Sequence, residues 1–320
     1  MSYEYKSCFA YDIQAYISLR CSLGYSRSTY EKTLCQFDRF CRENYPDEKA
    51  ITQKVTEHWC CLREGKEHEN GLHRRILIVR NFARYLNAMG KPAYVIPDAI
   101  TGKDVPFVPY IFTDEEIRLF FKAADTLPAN PCARNRELVL PVLFRMLFCC
   151  GLRPQEVLRI RRGHVDLTAG TIYIEDSKVH KDRVVAMSDE LTGLCARYDS
   201  LIQLRLPDRE YFLGHPKGGS YGIQWLQQQS RRCWRETGIP FRNGRFPRNY
   251  EWRHNFATRV IMGWLDQGED VYALLPYLSA YMGHSDLGDT LYYVRLVPEK
   301  LSGSGRMDWD CIPEVPYYED

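Results

Sequence analysis

From its first residues the chain sets apolar side chains at helical intervals. Residues 9–23 place Phe9, Ile13, Tyr16 and Ile17 along one face, and Gly24 ends the run. A second helix, with Ser28 as its cap, carries Tyr30, Leu34, Phe37 and Cys41. A shorter third starts near Thr52 and contains Val55 and Trp59. The fourth, Leu72 to Met89, turns Ile76, Val79, Phe82 and Leu86 inward while Arg74, Arg75, Arg80 and Arg84 dot the rest, and Gly90 and Pro92 stop it. Four amphipathic helices predict a bundle over residues 1–92. Residues 93–112, with Pro97, Pro106, Pro109 and Gly102 and no sustained period, read as a linker.

A second domain, residues 113–298, opens at the capping box Thr113-Asp114-Glu115-Glu116. Helical segments run to about Ala124 and from Arg136 to Cys150; Gly151 breaks the latter, so Arg153 lies at a bend before another helix start. Thr171–Glu175 and Arg183–Met187 alternate and are rich in β-branched residues, predicting two antiparallel strands whose turn holds Lys178 and Lys181. The fold class expected is mainly α with a small antiparallel sheet (α+β). Residues 299–320 form an acidic, aromatic tail beyond a Gly303/Gly305 joint.

Composition narrows the class. A chain of 320 residues, 45% apolar, suffices for two globular domains. The longest apolar stretch, Val139 to Leu152, is interrupted by Arg145 and too short to span a bilayer, and the start lacks a basic-then-apolar signal. No membrane partner is expected, and the location expected is cytoplasmic. Twelve cysteines without a Cys-x-x-Cys pair read as reduced, buried thiols. Net charge is only +2, but the tail's six acids against Lys300 and Arg306 make it −4, which leaves +6 for residues 1–298. In that body, basic residues cluster at Arg159, Arg161 and Arg162, and at Arg231, Arg232, Arg235, Arg242, Arg245 and Arg248. Flanking the chemistry described next, they read as phosphate contacts on a nucleic acid.

That chemistry lies in two stretches. Gly151-Leu152-Arg153-Pro154-Gln155-Glu156 precedes the Lys178 turn; about a hundred residues on, Tyr250-Glu251-Trp252-Arg253-His254 leads to Gly283-His284 and to Tyr293. Two arginines, a lysine, a histidine and a late tyrosine suit attack by a phenol on a phosphodiester. A phenol with pKa near 10 is ionised about once in a thousand at neutral pH. Two guanidiniums can neutralise charge building on the phosphate, and a lysine can protonate the departing alkoxide. Tyr292 is the rival nucleophile, Lys181 the rival acid, and His254 reads as a packing residue. Nine residues of unbroken helix turn through about 900°, so His284 and Tyr293 can meet only if the chain bends, as a cap at Ser285 or Asp286 would allow.

These clusters resemble those of the tyrosine recombinases, the phage-integrase and Xer family. The resemblance implies an N-terminal core-binding domain and an integrase-type catalytic domain. It implies Arg153 and Arg253 on the phosphate, with Glu156 as the acidic neighbour of Arg153, and Lys178 as general acid in a hairpin similar to the family's Gly-Lys-Gly-x-Lys-x-Arg. Tyr293 would be the nucleophile, with His284 as a further phosphate donor. One position departs: three residues ahead of Arg253, where the family most often has His, stands Tyr250, which can donate a hydrogen bond but shuttles protons poorly. Further implications are a 3′-phosphotyrosine, no need of metal or ATP, a homotetramer on paired DNA sites, and a tail passed to a neighbouring protomer. A type IB topoisomerase and a non-catalytic DNA-binding factor are the alternatives. The segment Val271–Met282 has no chemistry of its own in this reading.

Overall fold

The computed structural model describes residues 3–61, 69–98, 109–130, 133–175, 182–240 and 246–294. Lys178, Lys181, Arg242, Arg245 and the tail lie outside them. The chain divides into two compact units, Met1–Val108 and Pro109–Asp320.

Among the described residues the first unit holds four helices, α1 (Ala10–Ser22), α2 (Arg27–Asn44), α3 (Gln53–Cys61) and α4 (Glu69–Ala88). Every apolar position that the periodicity turns inward is buried, from Phe9 and Ile13 through Phe37 and Trp59 to Phe82 and Leu86. Burial of this apolar face, rather than intrinsic propensity, holds such short helices together. The second helix starts earlier than expected, with Ser26 and not Ser28 at the N-cap position and the Thr29 amide donating to the Ser26 carbonyl. Arg74, Arg75, Arg80 and Arg84 are expected from the sequence to contact DNA, but two of the four are buried. Arg75 is 4% exposed; it donates to the Trp59 carbonyl at 2.6 Å and lies 4.6 Å from the Trp59 ring centre. Arg80, 2% exposed, pairs with Asp98. Their guanidiniums satisfy the end of α3 and the chain beyond α4, and only Arg74 and Arg84 face solvent.

The expected linker is narrower than residues 93–112. Ala93 bridges Ile51, the Tyr94 amide donates to the Ile51 carbonyl at 2.7 Å, and Ile96 is buried in the first core. At the other end, Asn255 Oδ1 accepts from the Phe112 amide at 2.8 Å and Glu251 Oε2 from the Tyr110 amide at 3.2 Å.

The second unit comprises α5 (Asp114–Asp125), α6 (Arg136–Cys150), α7 (Pro154–Arg159), strands β1 (Val165–Asp166), β2 (Thr171–Ile174) and β3 (Arg183–Ala186), then α8 (Asp189–Gln203), α9 (Ile223–Glu236), α10 (Glu251–Gln267), α11 (Val271–Met282) and α12 (Gly288–Val294). The capping box is present at α5: Thr113 Oγ1 accepts from the Glu116 amide, and Glu116 Oε2 from the Thr113 amide. The sheet is antiparallel in order β1-β2-β3, with Ile174 opposite Arg183; β1, two residues long, is too short for alternation to reveal. Trp252, 1% exposed, packs its indole against Phe112 and Phe120 with ring centres 4.4 and 4.8 Å away. That packing fixes the first turn of α10 and so the neighbouring Arg253. No described helix is long and apolar enough to cross a membrane, and the ten described cysteines are free thiols.

Helix α6 ends at Gly151, with φ 57°, and a Cβ there would collide with the Phe256 ring. Gly263, inside α10, has no such neighbour. Gly151→Ala is therefore expected to destabilise the protein by about 2–4 kcal/mol in urea unfolding. Gly263→Ala is expected to stabilise it by about 0.5–1 kcal/mol. Equal effects would contradict this assignment.

Candidate active site

Two helix ends build the site. Where α6 stops at Gly151, the chain turns so that Arg153 becomes the N-cap residue of α7. Its amide donates to Glu156 Oε2 at 2.8 Å and its Nη1 to Glu156 Oε1 at 2.7 Å. Where α11 stops, Gly283 adopts φ 68°, and the amides of Gly283 and His284 fold back onto the carbonyls of Ala280 and Ser279.

The next three carbonyls, which a helix end leaves without intrahelical donors, are each taken by a different arginine. The Tyr281 carbonyl accepts from Arg183 Nε at 3.0 Å, the Met282 carbonyl from Arg253 Nη2 at 2.7 Å, and the Gly283 carbonyl from Arg153 Nη2 at 2.7 Å. Arg253, 0% exposed, also donates from Nη1 to the Gly151 carbonyl at 2.6 Å, so one guanidinium ties both helix ends together. Burial pushes its pKa down, while the nearby Tyr250 and Tyr293 phenols favour its charge. For Arg153, burial is outweighed by Glu156 and then by the Tyr250 phenol against it, so its pKa rises. Burial alone would raise Glu156, but hydrogen bonds and charge from Arg183, then Arg153, hold it at about 2.

His284 and Tyr293 meet because the chain bends between them. Asp286 Oδ1 accepts from the Gly288 amide at 2.6 Å and starts α12, and the two rings stack with centres 6.0 Å apart and planes 19° apart. His284 Nδ1 shares a 2.7 Å hydrogen bond with Thr290 Oγ1, itself fully buried. Burial, then the charges of Arg253, Arg153 and Arg183, push the His284 pKa to about 3, so its imidazole is neutral at ordinary pH. Burial raises the Tyr293 phenol to about 12 despite the opposing pull of Arg253. Tyr293 is 3% exposed; Tyr292 is half-buried and lies toward Glu251 and Arg248. Tyr250 stands at the N-cap of α10, 37% exposed. His254 is buried among Tyr250, Tyr293 and Tyr292, at 5.2, 5.6 and 6.1 Å between ring centres.

Arg153, Glu156, Tyr250, Arg253, His284 and Tyr293 thus form one cluster, and Lys178 lies outside the described residues. Of the basic residues expected on DNA, Arg159 and Arg231 are exposed and Arg232 is half-buried. Arg161 is exposed and faces Glu175 and Glu210, and Arg162 pairs with Asp199 at 2.5 Å. Two members of the cluster, Arg183 and Thr290, have no role in the sequence reading. Arg183 had a signal, its place at the base of the lysine hairpin; Thr290 had none beyond lying six residues after His284. Among the described residues no group of His, Cys, Asp and Glu could hold a metal ion.

The phage integrase family model matches residues 111–300. The protein y4rB of Sinorhizobium fredii, whose name assigns it to integrases/recombinases, is 27% identical over 94% of this chain and 96% of its own length. The tyrosine recombinase XerC of Staphylococcus saprophyticus is 24% identical over 90% of this chain and 93% of its own length. Among solved structures, the XerH site-specific recombinase bound to a palindromic difH substrate, in a post-cleavage complex, superposes with a TM-score of 0.66 at 16% identity, covering 87% of this chain and 78% of that one.

Two imidazoles here are held below their ordinary pKa of 6.5, His254 at about 4 and His284 at about 3, burial being the main cause for both. Each takes up a proton on unfolding below that pH. The stability they lend is complete above pH 6.5 and is lost as pH falls toward those values, at up to about 1.4 kcal/mol per pH unit for each group. Denaturant unfolding is expected to show lower stability near pH 5 than near pH 7, with a smaller difference in His254→Phe; an unchanged difference would contradict the burial of a neutral His254.

Proposed function

The chain belongs to the phage integrase family, the tyrosine recombinases, enzymes that cut and rejoin DNA, and from that premise we propose how its own residues carry out site-specific recombination. Tyr293 Oη attacks the scissile phosphorus, giving a 3′-phosphotyrosine and freeing the 5′-oxygen. The phenol gives up its proton to water as the P–O bond forms, and Lys178 supplies one to the leaving alkoxide. A 5′-hydroxyl from the partner strand then attacks the phosphotyrosine and returns Tyr293. Each step exchanges one phosphoester for another, so the sequence balances without an external energy donor.

The observation that carries this reading is the convergence of Arg153, Arg253, His284 and Tyr293 at the end of α11. Arg153 and Arg253 are fixed by carbonyls before any substrate arrives, so little reorganisation is needed as charge builds on the phosphate. Arg153 keeps 19% of its side chain open to solvent and has donors to spare for a phosphate oxygen. The neutral imidazole of His284 and the phenol of Tyr250 are further donors, and Glu156 orients Arg153. With a pKa of about 12 and 3% exposure, Tyr293 is a weak nucleophile in the DNA-free chain; attack requires the side chain to leave its pocket and meet the arginine-bound phosphate.

Duplex DNA is the partner, gripped by the helical unit through Arg74 and Arg84 and by the catalytic unit through Arg159, Arg231, Arg232, Arg242 and Arg245. Exchange of both strands between two duplexes takes four cleavages. With one nucleophile per chain, four copies on paired sites are needed, acting in the cytoplasm with the DNA.

On suicide substrates built from DNA flanking the gene, wild type and Tyr292→Phe are expected to form a covalent adduct and Tyr293→Phe none. Arg153→Lys is expected to slow adduct formation by about 10²–10³ with DNA affinity nearly retained. Tyr250→Phe is expected to slow it by about ten- to a hundredfold. An adduct that persists in Tyr293→Phe would overturn the assignment. Relaxation of plasmids lacking the site would indicate a topoisomerase, and absence of adduct on bound DNA a binding factor.

A further inference from the structure

Arg183 has no part in the chemistry above, yet its side chain is only 10% exposed and every donor group of its guanidinium is engaged within the site. Nη1 and Nη2 form a two-pronged pair with Glu156 Oε1 and Oε2 at 3.0 and 2.7 Å, and Nε donates to the Tyr281 carbonyl at 3.0 Å. The fit is close: a Cβ on Gly283 would lie 2.9 Å from Arg183 Nη1. Glu156, whose side chain is 0% exposed, thus accepts two hydrogen bonds from Arg183 and two from Arg153.

Charge gives this arrangement its consequence. Arg153 and Glu156 alone would be a neutral pair, and a buried carboxylate bound to one guanidinium would face a phosphate that gains negative charge as it reacts. With Arg183 on its other side the carboxylate is already neutralised, and the triad carries +1. We propose that Arg183 is a positioning residue that acts through Glu156, cancelling the carboxylate's charge so that Arg153 meets the scissile phosphate as an uncompensated cation. The wide fork of an arginine suits this place because it spans both carboxylate oxygens. The inference rests on the recombinase reading and deepens it.

The test compares single-turnover adduct formation at saturating DNA in wild type, Arg183→Lys, Arg183→Gln and the double variant Glu156→Gln/Arg183→Gln, with DNA affinity and thermal melting followed in parallel. Arg183→Gln is expected to be slower by about a hundredfold with affinity nearly unchanged. Arg183→Lys, which keeps the charge, is expected to stay within about tenfold of wild type, and the double variant to be at least about tenfold faster than Arg183→Gln because the uncompensated carboxylate is gone. A double variant no faster than Arg183→Gln, or affinity lost in step with rate, would overturn the proposal. If Arg183→Gln does not fold, Arg183→Lys decides: a folded, DNA-binding protein about a hundredfold slow contradicts charge compensation. Failure of wild type to form any adduct would instead count against the recombinase reading itself.

Discussion

Three guanidiniums on three successive carbonyls at the end of one helix are the interaction on which this site depends. The last turn of α11 presents unpaired carbonyls and the negative end of the helix dipole, a place that favours cations. Arg183 arrives from β3, Arg253 from the first turn of α10, and Arg153 from the N-cap of α7. Each element is docked by its own packing, Trp252 for α10 and the Gly151 turn for α7, and the carbonyls set how far each guanidinium reaches. Like charges this close repel, and Glu156, accepting from two of the three, offsets part of that cost. Breaking such a buried network by removing one member costs far more than the net worth of any single pair.

The same turn places the partners of the arginines. Gly283 takes a left-handed conformation, so the chain leaves α11 sharply and His284 emerges beside the cations. Burial, and then the three positive charges, keep its ring neutral, able to donate through one nitrogen while the other engages Thr290. The bend at Asp286 brings α12 back so that Tyr293 stacks on that ring. The phenol is held protonated and covered, and the electrostatics that would activate it need a phosphate among the arginines to complete them.

Much of the fold was legible because helical periodicity is local. The inward positions of the first unit and the capping box at Thr113 follow from residues within a turn of each other, and helix starts such as Ser26 against Ser28 differ only in detail. Legibility fails where partners are distant in sequence. An arginine among apolar positions reads as solvent-facing, yet Arg75 turns to the carbonyls ending α3, sixteen residues away in sequence, and Arg162 to Asp199, thirty-seven away. Nothing in the order of residues says that Arg153 and Arg183 share the Glu156 carboxylate, or that the segment Val271–Met282 serves by where it ends. The need for a bend between His284 and Tyr293 was legible from the angular step of a helix; the stacking that results was not.

The most direct measurement is to trap the protein on a suicide DNA substrate, digest the complex, and locate the nucleotide-bearing residue by mass spectrometry. Nucleotide on Tyr293 is the result predicted by a site in which the phosphate is held between Arg153 and Arg253 beside His284. Nucleotide on Tyr292 or on any other residue would contradict it.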